Sequence, residues 1–312
     1  MIEPAESFWL DGSLVPSTTG THLLTHTLHT GFGVFEGIRC YRLDDGSVRM
    51  FRGRDHMRRL LESGAALGLE VPYDLEQLVA GGAEAVRVNK LTDAYLRPLV
   101  YSGEPNVIFA HWLNTTHVAM LAFGWTGYSD RDRSAGTTAT ISPYPRPAAL
   151  ASFYKAKACG HYVLSVAAYG DARRRGYGQA IFCDENGLVA ESTGENVFAV
   201  IGDIVCTPPP ARPILMGITR DTVLTIARDD LGLEAAERDL TIDDLYEADE
   251  VFTTGTASEL LHVPEIDGHK IGTGTLGPVT SAIQERFTAL SRGRTPDTRG
   301  WLDIEIQGGE GI

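Results

Sequence analysis

Four lysines are spread along this chain, Lys90, Lys155, Lys157 and Lys270, and arginine supplies nearly all the remaining positive charge. The two residue types differ in what they can do. A guanidinium stays protonated and cannot condense with a carbonyl, whereas a lysine amine can once its surroundings lower its pKa. Lys157 stands in Ala156-Lys157-Ala158-Cys159-Gly160, where small neighbours permit a flat molecule to approach closely. Residues 157–175 read as a helix with Lys157 at its start. A helix N-terminus disfavours a cation, so the local dipole would help to keep that amine neutral. Pattern alone does not separate Lys157 from an ordinary surface lysine.

Two segments have the make-up of a phosphate cradle. Gly217-Ile218-Thr219 opens a predicted helix at 217–231, so its amides and the Thr219 hydroxyl are placed to donate. Gly255-Thr256 follows a strand-like run at 250–254 and offers a second such turn. Each reads equally as a plain turn. Glu191, in AESTGEN, is either a surface acid or the partner of a protonated ring nitrogen. The second role matters because a pyridinium ring is an electron sink for carbanion chemistry. Cys40, Cys159, Cys183 and Cys206 lie far apart with no CxxC pair and no zinc-site spacing, which reads as reduced structural thiols and no metal.

The elements that must hold these residues follow from periodicity. Residues 8–15 have the look of a hairpin turning at Asp11-Gly12, and 35–43 and 48–51 are strand-like around Asp44-Asp45-Gly46. Helical spacing of Met57, Leu60, Leu61 and Leu67 predicts a helix over 54–69, and 74–91 passes the same test. Residues 94–101 and 118–123 return to strand character. A polar run at 124–136 (GWTGYSDRDRSAG) suits an interdomain connection. Beyond it come a hairpin over 179–200 around Glu185-Asn186-Gly187, a short strand at 204–207 and a closing helix at 277–291. Strands grouped with helices, without strict alternation, predict two α+β domains rather than a doubly wound sheet. The expected division is a small domain 1–123, a connecting loop 124–135 and a larger domain 136–312.

Composition narrows the class of partner. The chain's 312 residues suit two domains, and 43% hydrophobic residues are ample for buried cores. A net charge of −14 disfavours nucleic acid and anionic lipid as partners. No apolar run approaches the roughly 20 residues that cross a bilayer, and Glu3 and Glu6 spoil any secretory signal, so a cytoplasmic protein is expected.

The run Glu191-Ser192-Thr193-Gly194-Glu195-Asn196-Val197-Phe198, then Val205-Cys206-Thr207, then Leu215-Met216-Gly217-Ile218-Thr219-Arg220, resembles the signature of the class IV aminotransferases. AKACGHY around Lys157 resembles that family's Schiff-base segment, with the family tyrosine falling on Tyr162. HTGFGVFEGIRCY, RDHMRRL, AYLRP and FTTGTASE carry the likeness from about residue 8 to residue 290, and within the family it is nearest to bacterial branched-chain amino-acid aminotransferases. The resemblance implies a two-domain fold type IV aminotransferase, like D-amino-acid aminotransferase, that uses pyridoxal 5'-phosphate. It implies that Lys157 bonds to the cofactor, that Glu191 pairs with the ring nitrogen and that Tyr162 meets the phenolic oxygen. Arg59, Gly217, Ile218, Thr219, Gly255 and Thr256 would hold the phosphate. Phe35, Gly37, Tyr95, Tyr128, Thr256 and Ala257 would surround the substrate, with Arg97 receiving the second carboxylate of glutamate. The implied reaction exchanges the amino group of leucine, isoleucine or valine with 2-oxoglutarate, in at least a homodimer whose neighbouring subunit completes each site.

Three positions depart from the family pattern. His29-Thr30-Gly31 has a threonine where a tyrosine is usual. The loop 106–114 (NVIFAHWLN) lacks the common Gly-rich pattern and carries Phe109, His111 and Trp112, which would favour a larger or aromatic amino donor. His161 stands where asparagine is common. Transaminases of D-amino acids or (R)-amines, the aminodeoxychorismate lyase branch and a non-catalytic phosphate-binding relative are the alternatives on the same fold. Arg97 speaks against the first two, and an intact Lys157 against the last.

Overall fold

The strand Ala94–Ser102 takes partners along both edges, and its lone proline shows how. One edge pairs antiparallel along its whole length with Thr116–Gly124. The other is shared by two short strands, Ile38–Arg42 opposite residues 94–96 and Gly33–Phe35 opposite residues 99–101. Pro98 lacks an N–H to give, and it falls at the break between them, where Glu36 N donates to Pro98 O at 2.9 Å. The residues of that break, Phe35-Glu36-Gly37, are thereby lifted out of regular pairing.

The computed structural model describes residues 3–105 and 109–306. Residues 106–108 of the aromatic loop lie outside them. The chain divides into two compact units, one drawn from Met1–Thr126, Ala156–Gly160 and Ala289–Ile312, the other from Gly127–Lys155 and His161–Thr288. Two segments of the expected 136–312 domain therefore belong to the first unit, for reasons of long-range pairing. Ile304–Ile306 pairs antiparallel with Val48–Met50, and Ala158 bridges to Val34. The 124–136 run is also not all loop, since Asp130–Ala135 is helical.

Among the described residues, the first unit holds a nine-stranded sheet paired antiparallel throughout. The helices Gly53–Leu67 and Leu75–Val88 lie against it over a core that includes Met50, Met57, Leu60, Leu78, Leu96 and Met120. Asp74 and Gln77 form a capping box on the second helix, as its sequence allows. The first helix is capped from afar: Asp303 accepts from Gly53 N and Arg54 N, both at 2.9 Å.

The second unit holds a ten-stranded sheet, mostly antiparallel but with parallel pairs such as Gln179–Cys183 with Ala139–Ile141. The predicted helix at 217–231 is Ile218–Thr225 continued by a wider π turn, Ile226–Asp230. Sheets with helices packed on them, in both units, make the α+β class. No helix among the described residues is long and apolar enough to cross a membrane.

The helix expected to start at Lys157 is His161–Arg174. Lys157 lies before it in an extended segment: its N–H donates to Ser63 Oγ at 3.0 Å, and its carbonyl accepts from Phe35 N at 3.1 Å. Cys159 N donates to Gly33 O at 2.8 Å. The small residues around Lys157 serve this close pairing, as Gly31 and Gly160 show. A Cβ on Gly31 would lie 3.0 Å from Gly160 Cα. The helix-dipole argument for a neutral amine at Lys157 therefore does not apply.

Candidate active site

In the first unit the Phe35-Glu36-Gly37 break forms a floor. Tyr95 lies over Gly37 so closely that a Cβ there would stand 1.8 Å from the tyrosine hydroxyl. The Tyr95 ring cannot easily yield, being buried and stacked on Phe123 with centroids 5.3 Å apart. Arg97, two residues along the same strand face, gives Nη2 to Tyr95 OH at 3.5 Å. Its guanidinium carbon sits 4.7 Å from the Phe35 ring centroid and 5.4 Å from that of Tyr95. Lys157 Nζ approaches the same Phe35 ring at 5.0 Å. One phenylalanine thus has a fixed guanidinium and the candidate amine beside it.

Under that floor lies a group to which the sequence reading assigned no role. Glu36 has no solvent exposure, and its carboxylate receives Arg59 Nε at 2.6 Å, Arg59 Nη2 at 2.9 Å and His56 Nδ1 at 2.7 Å. Burial alone would raise the Glu36 pKa. The Arg59 guanidinium and then His56 override it and hold the carboxyl well below its ordinary value. His56 shifts down, first because it is buried and further because Arg59 and Lys157 are near, against the pull of Glu36. Both residues stand inside quoted motifs, FEGIR and RDHMRRL, but neither motif reveals that the two side chains meet.

In the second unit the residues gather on Asn196. Its side-chain amide donates to Glu191 Oε2 at 3.2 Å and to Leu215 O at 2.9 Å. Leu215 N returns a hydrogen bond to the same Glu191 oxygen at 3.0 Å. Gly217 follows so tightly that a Cβ on it would stand 2.0 Å from Asn196 Oδ1. The helix Ile218–Thr225 therefore begins beside the Glu191 carboxylate, on a glycine with no side-chain cap. Strand pairing adds the last piece, because Asn196 is opposite Thr254. Gly255-Thr256-Ala257 continues from there, and a Cβ on Gly255 would meet Glu195 and Ser258 at 3.0 and 3.2 Å.

Glu191 is buried with a cation that the sequence reading also missed. Arg146 forms an ion pair with its Oε1 and sits between the Tyr154 and Phe182 rings, 4.8 and 4.5 Å from their centroids. Arg146 lies 45 residues from Glu191 in the chain, beyond any local motif. Of the remaining expected residues, Tyr162 is the second residue of His161–Arg174. Tyr128 is 40% exposed, and its carbonyl accepts from Arg133 Nε.

The amino-transferase class IV family model matches residues 33–266. The branched-chain-amino-acid aminotransferase of Salmonella typhimurium is 39% identical over 302 residues, 96% of this chain and 97% of its own. The chain belongs to the class IV amino-transferases.

Solved structures agree with that membership. The branched-chain amino acid aminotransferase of Escherichia coli matches at TM-score 0.89 and 37% identity, over 95% of this chain and 98% of that one. The enzyme of that name from Thermobaculum terrenum, in its PLP-bound holo-form, matches at TM-score 0.90 and 30% identity, over 98% of this chain and 99% of that one. For a class IV amino-transferase, this donor set suits pyridoxal phosphate. A buried carboxylate answers a protonated ring nitrogen, and an uncapped helix start answers a phosphate. The buried hydroxyls of Thr254 and Ser258, on either side of the Gly255-Thr256 turn, have no protein partner. Sequence reasoning therefore named residues that gather into two clusters, one per unit, and missed the buried polar side chains beneath them: Glu36, His56 and Arg146.

Proposed function

We propose that this chain exchanges amino groups between branched-chain L-amino acids and 2-oxoglutarate on pyridoxal phosphate, with Lys157 as the catalytic residue. The observation that carries this reading is Arg97, held on Tyr95 and Phe35 beside the Lys157 amine. A fixed cation over an aromatic floor serves an acceptor with a second carboxylate and leaves that floor for an aliphatic side chain.

When bound, pyridoxal phosphate supplies an electron sink for the charge left when the substrate α-carbon gives up its proton. Lys157 would hold the cofactor through its amine and, when that amine is free, would take and return the proton of the substrate α-carbon. Glu191, paired with Arg146 and Asn196, would accept a hydrogen bond from the protonated ring nitrogen. Tyr162 hydrogen-bonds the phenolic oxygen. Ile218, Thr219 and Thr256 bind the phosphate, with Gly217 and Gly255 allowing the backbone to come close, and Arg59 adds the countercharge. The Thr256 and Ala257 amides take the substrate carboxylate. Phe35, Gly37, Tyr95 and Tyr128 exclude water from its side chain, and Arg97 takes the second carboxylate of glutamate.

Steady-state rates with L-leucine, L-isoleucine, L-valine, D-alanine and (R)-1-phenylethylamine, each with 2-oxoglutarate, test this assignment. Turnover of the first three is expected, and its absence overturns the proposal. Thr30 favours a second, wider donor range. Its hydroxyl donates to His26 O at 3.0 Å and accepts from Phe32 N at 3.1 Å, so it is tied to its own turn. If the missing tyrosine sets the donor range, Thr30→Tyr narrows the profile, and an unchanged profile removes that second reading.

The proposal extends to a cytoplasmic homodimer. Val163, Val166 and Tyr169, three residues apart on one helix, are 72%, 70% and 46% exposed, which suits a face covered by a second copy. Light scattering that gives the mass of one chain would contradict it.

A further inference from the structure

We propose that Glu36, braced by His56, is the positioning residue that sets the Arg59 guanidinium for the cofactor phosphate. This rests on the reading of Arg59 as a phosphate ligand.

The geometry is more specific than a buried ion pair needs. One carboxylate with no exposure takes four donors: Arg59 Nε and Nη2, His56 Nδ1, and Gly37 N at 3.2 Å. His56 and Arg59 are three residues apart on Gly53–Leu67, so one helix face sends both side chains to the same group. The two-point contact fixes the plane of the guanidinium as well as its place. Glu36 itself sits between Phe35 and Gly37, so the same carboxylate ties this helix to the floor under Tyr95 and Arg97. A buried pair of this kind is often replaceable by apolar residues with no loss of stability. Stability alone therefore does not account for it, and its engagement of the proposed phosphate ligand Arg59 points to a role in orientation.

Orientation and charge make opposite predictions, which makes the inference decidable. A carboxylate beside Arg59 weakens the positive field that a phosphate meets. If charge alone mattered, removing it would tighten cofactor binding. If positioning matters, removing it loosens binding, and only for ligands that carry the phosphate.

The experiment strips the cofactor from the full-length enzyme and titrates it with pyridoxal 5'-phosphate and, separately, with pyridoxal. Wild type, Glu36→Gln, His56→Gln, Arg59→Ala and the Glu36→Gln/Arg59→Ala double variant are compared. Glu36→Gln is expected to weaken pyridoxal 5'-phosphate about tenfold to a hundredfold, the range lost with a charge-assisted hydrogen bond, and to leave pyridoxal unchanged. It should add no further loss to Arg59→Ala. His56→Gln should give a smaller loss with the same selectivity. Unchanged or tighter phosphate binding in Glu36→Gln overturns the inference, as does an equal loss for pyridoxal or an equal loss on the Arg59→Ala background. If Glu36→Gln yields no folded protein, His56→Gln decides: a loss confined to the phosphate ligand supports the inference, and any other result overturns it. Unchanged affinity in Arg59→Ala overturns the Arg59 reading and this inference with it. A loss in Arg59→Ala without one in Glu36→Gln overturns this inference alone.

Discussion

His56 Nδ1 lies 2.7 Å from Glu36 Oε2, with 2% and 0% of the two side chains exposed. Because Glu36 is held ionised, this bond fixes the imidazole tautomer with its proton on Nδ1. Burial and the nearby cations depress the His56 pKa below its ordinary 6.5. Between the depressed folded value and 6.5 the unfolded chain binds more protons, so stability rises with pH across that window. Glu36 acts with the same sign in stronger acid, because its contribution is present above its ordinary value of 4.5 and is lost as pH falls toward the folded one. Thermal melts from about pH 7.5 down to about pH 5.5 should therefore show falling stability, with a shallower fall in His56→Gln. Parallel curves for the two proteins would contradict the assignment.

Gly37 has no room for a side chain beneath Tyr95. Gly37→Ala should displace the Tyr95 ring and, with it, the Arg97 guanidinium that contacts it. The expected result is a fall in kcat/KM for glutamate or 2-oxoglutarate of at least about tenfold, as for the loss of a hydrogen bond to a charged group. Affinity for pyridoxal phosphate should hold, because no phosphate or ring contact is proposed for Gly37. Equal loss of cofactor and substrate binding would show that the glycine serves the fold of the whole break.

Much of the architecture was legible in the sequence where the signal is local. The hairpin at Asp11-Gly12, the helix over 74–91 and the strand at 94–101 all show in short windows. What was illegible depends on distant partners. The start of Gly53–Leu67 is capped by Asp303, 250 residues away, and Ile304–Ile306 joins a strand near residue 50. Residues 157–175 read as one helix with Lys157 at its start and with small neighbours that would admit a flat molecule, yet the size of those neighbours serves pairing with Gly33–Phe35. The site divides in the same way. Residues in the signature runs were named in advance, whereas Glu36, His56 and Arg146 are defined by burial and by what they touch.

Arg146 is the buried cation for Glu191, with 4% and 9% of the side chains exposed. Arg146→Met keeps the apolar bulk between Tyr154 and Phe182 but leaves the carboxylate without its partner. Removing one member of a buried pair costs about 3–5 kcal/mol. A melting temperature lower by the order of 10 °C is expected by calorimetry at neutral pH. A shift within about 2 °C of wild type would mean that the Asn196 and Leu215 contacts suffice for Glu191.

Lys157 remains the residue on which the functional account turns, since Lys155 lies two positions away and is exposed. The deciding measurement is the visible absorbance spectrum of purified Lys157→Ala beside Lys155→Ala, each saturated with pyridoxal phosphate. The account predicts that Lys157→Ala loses the protein-bound cofactor band together with turnover of L-leucine, while Lys155→Ala keeps both. The reverse pattern, or an unchanged spectrum in Lys157→Ala, would contradict it.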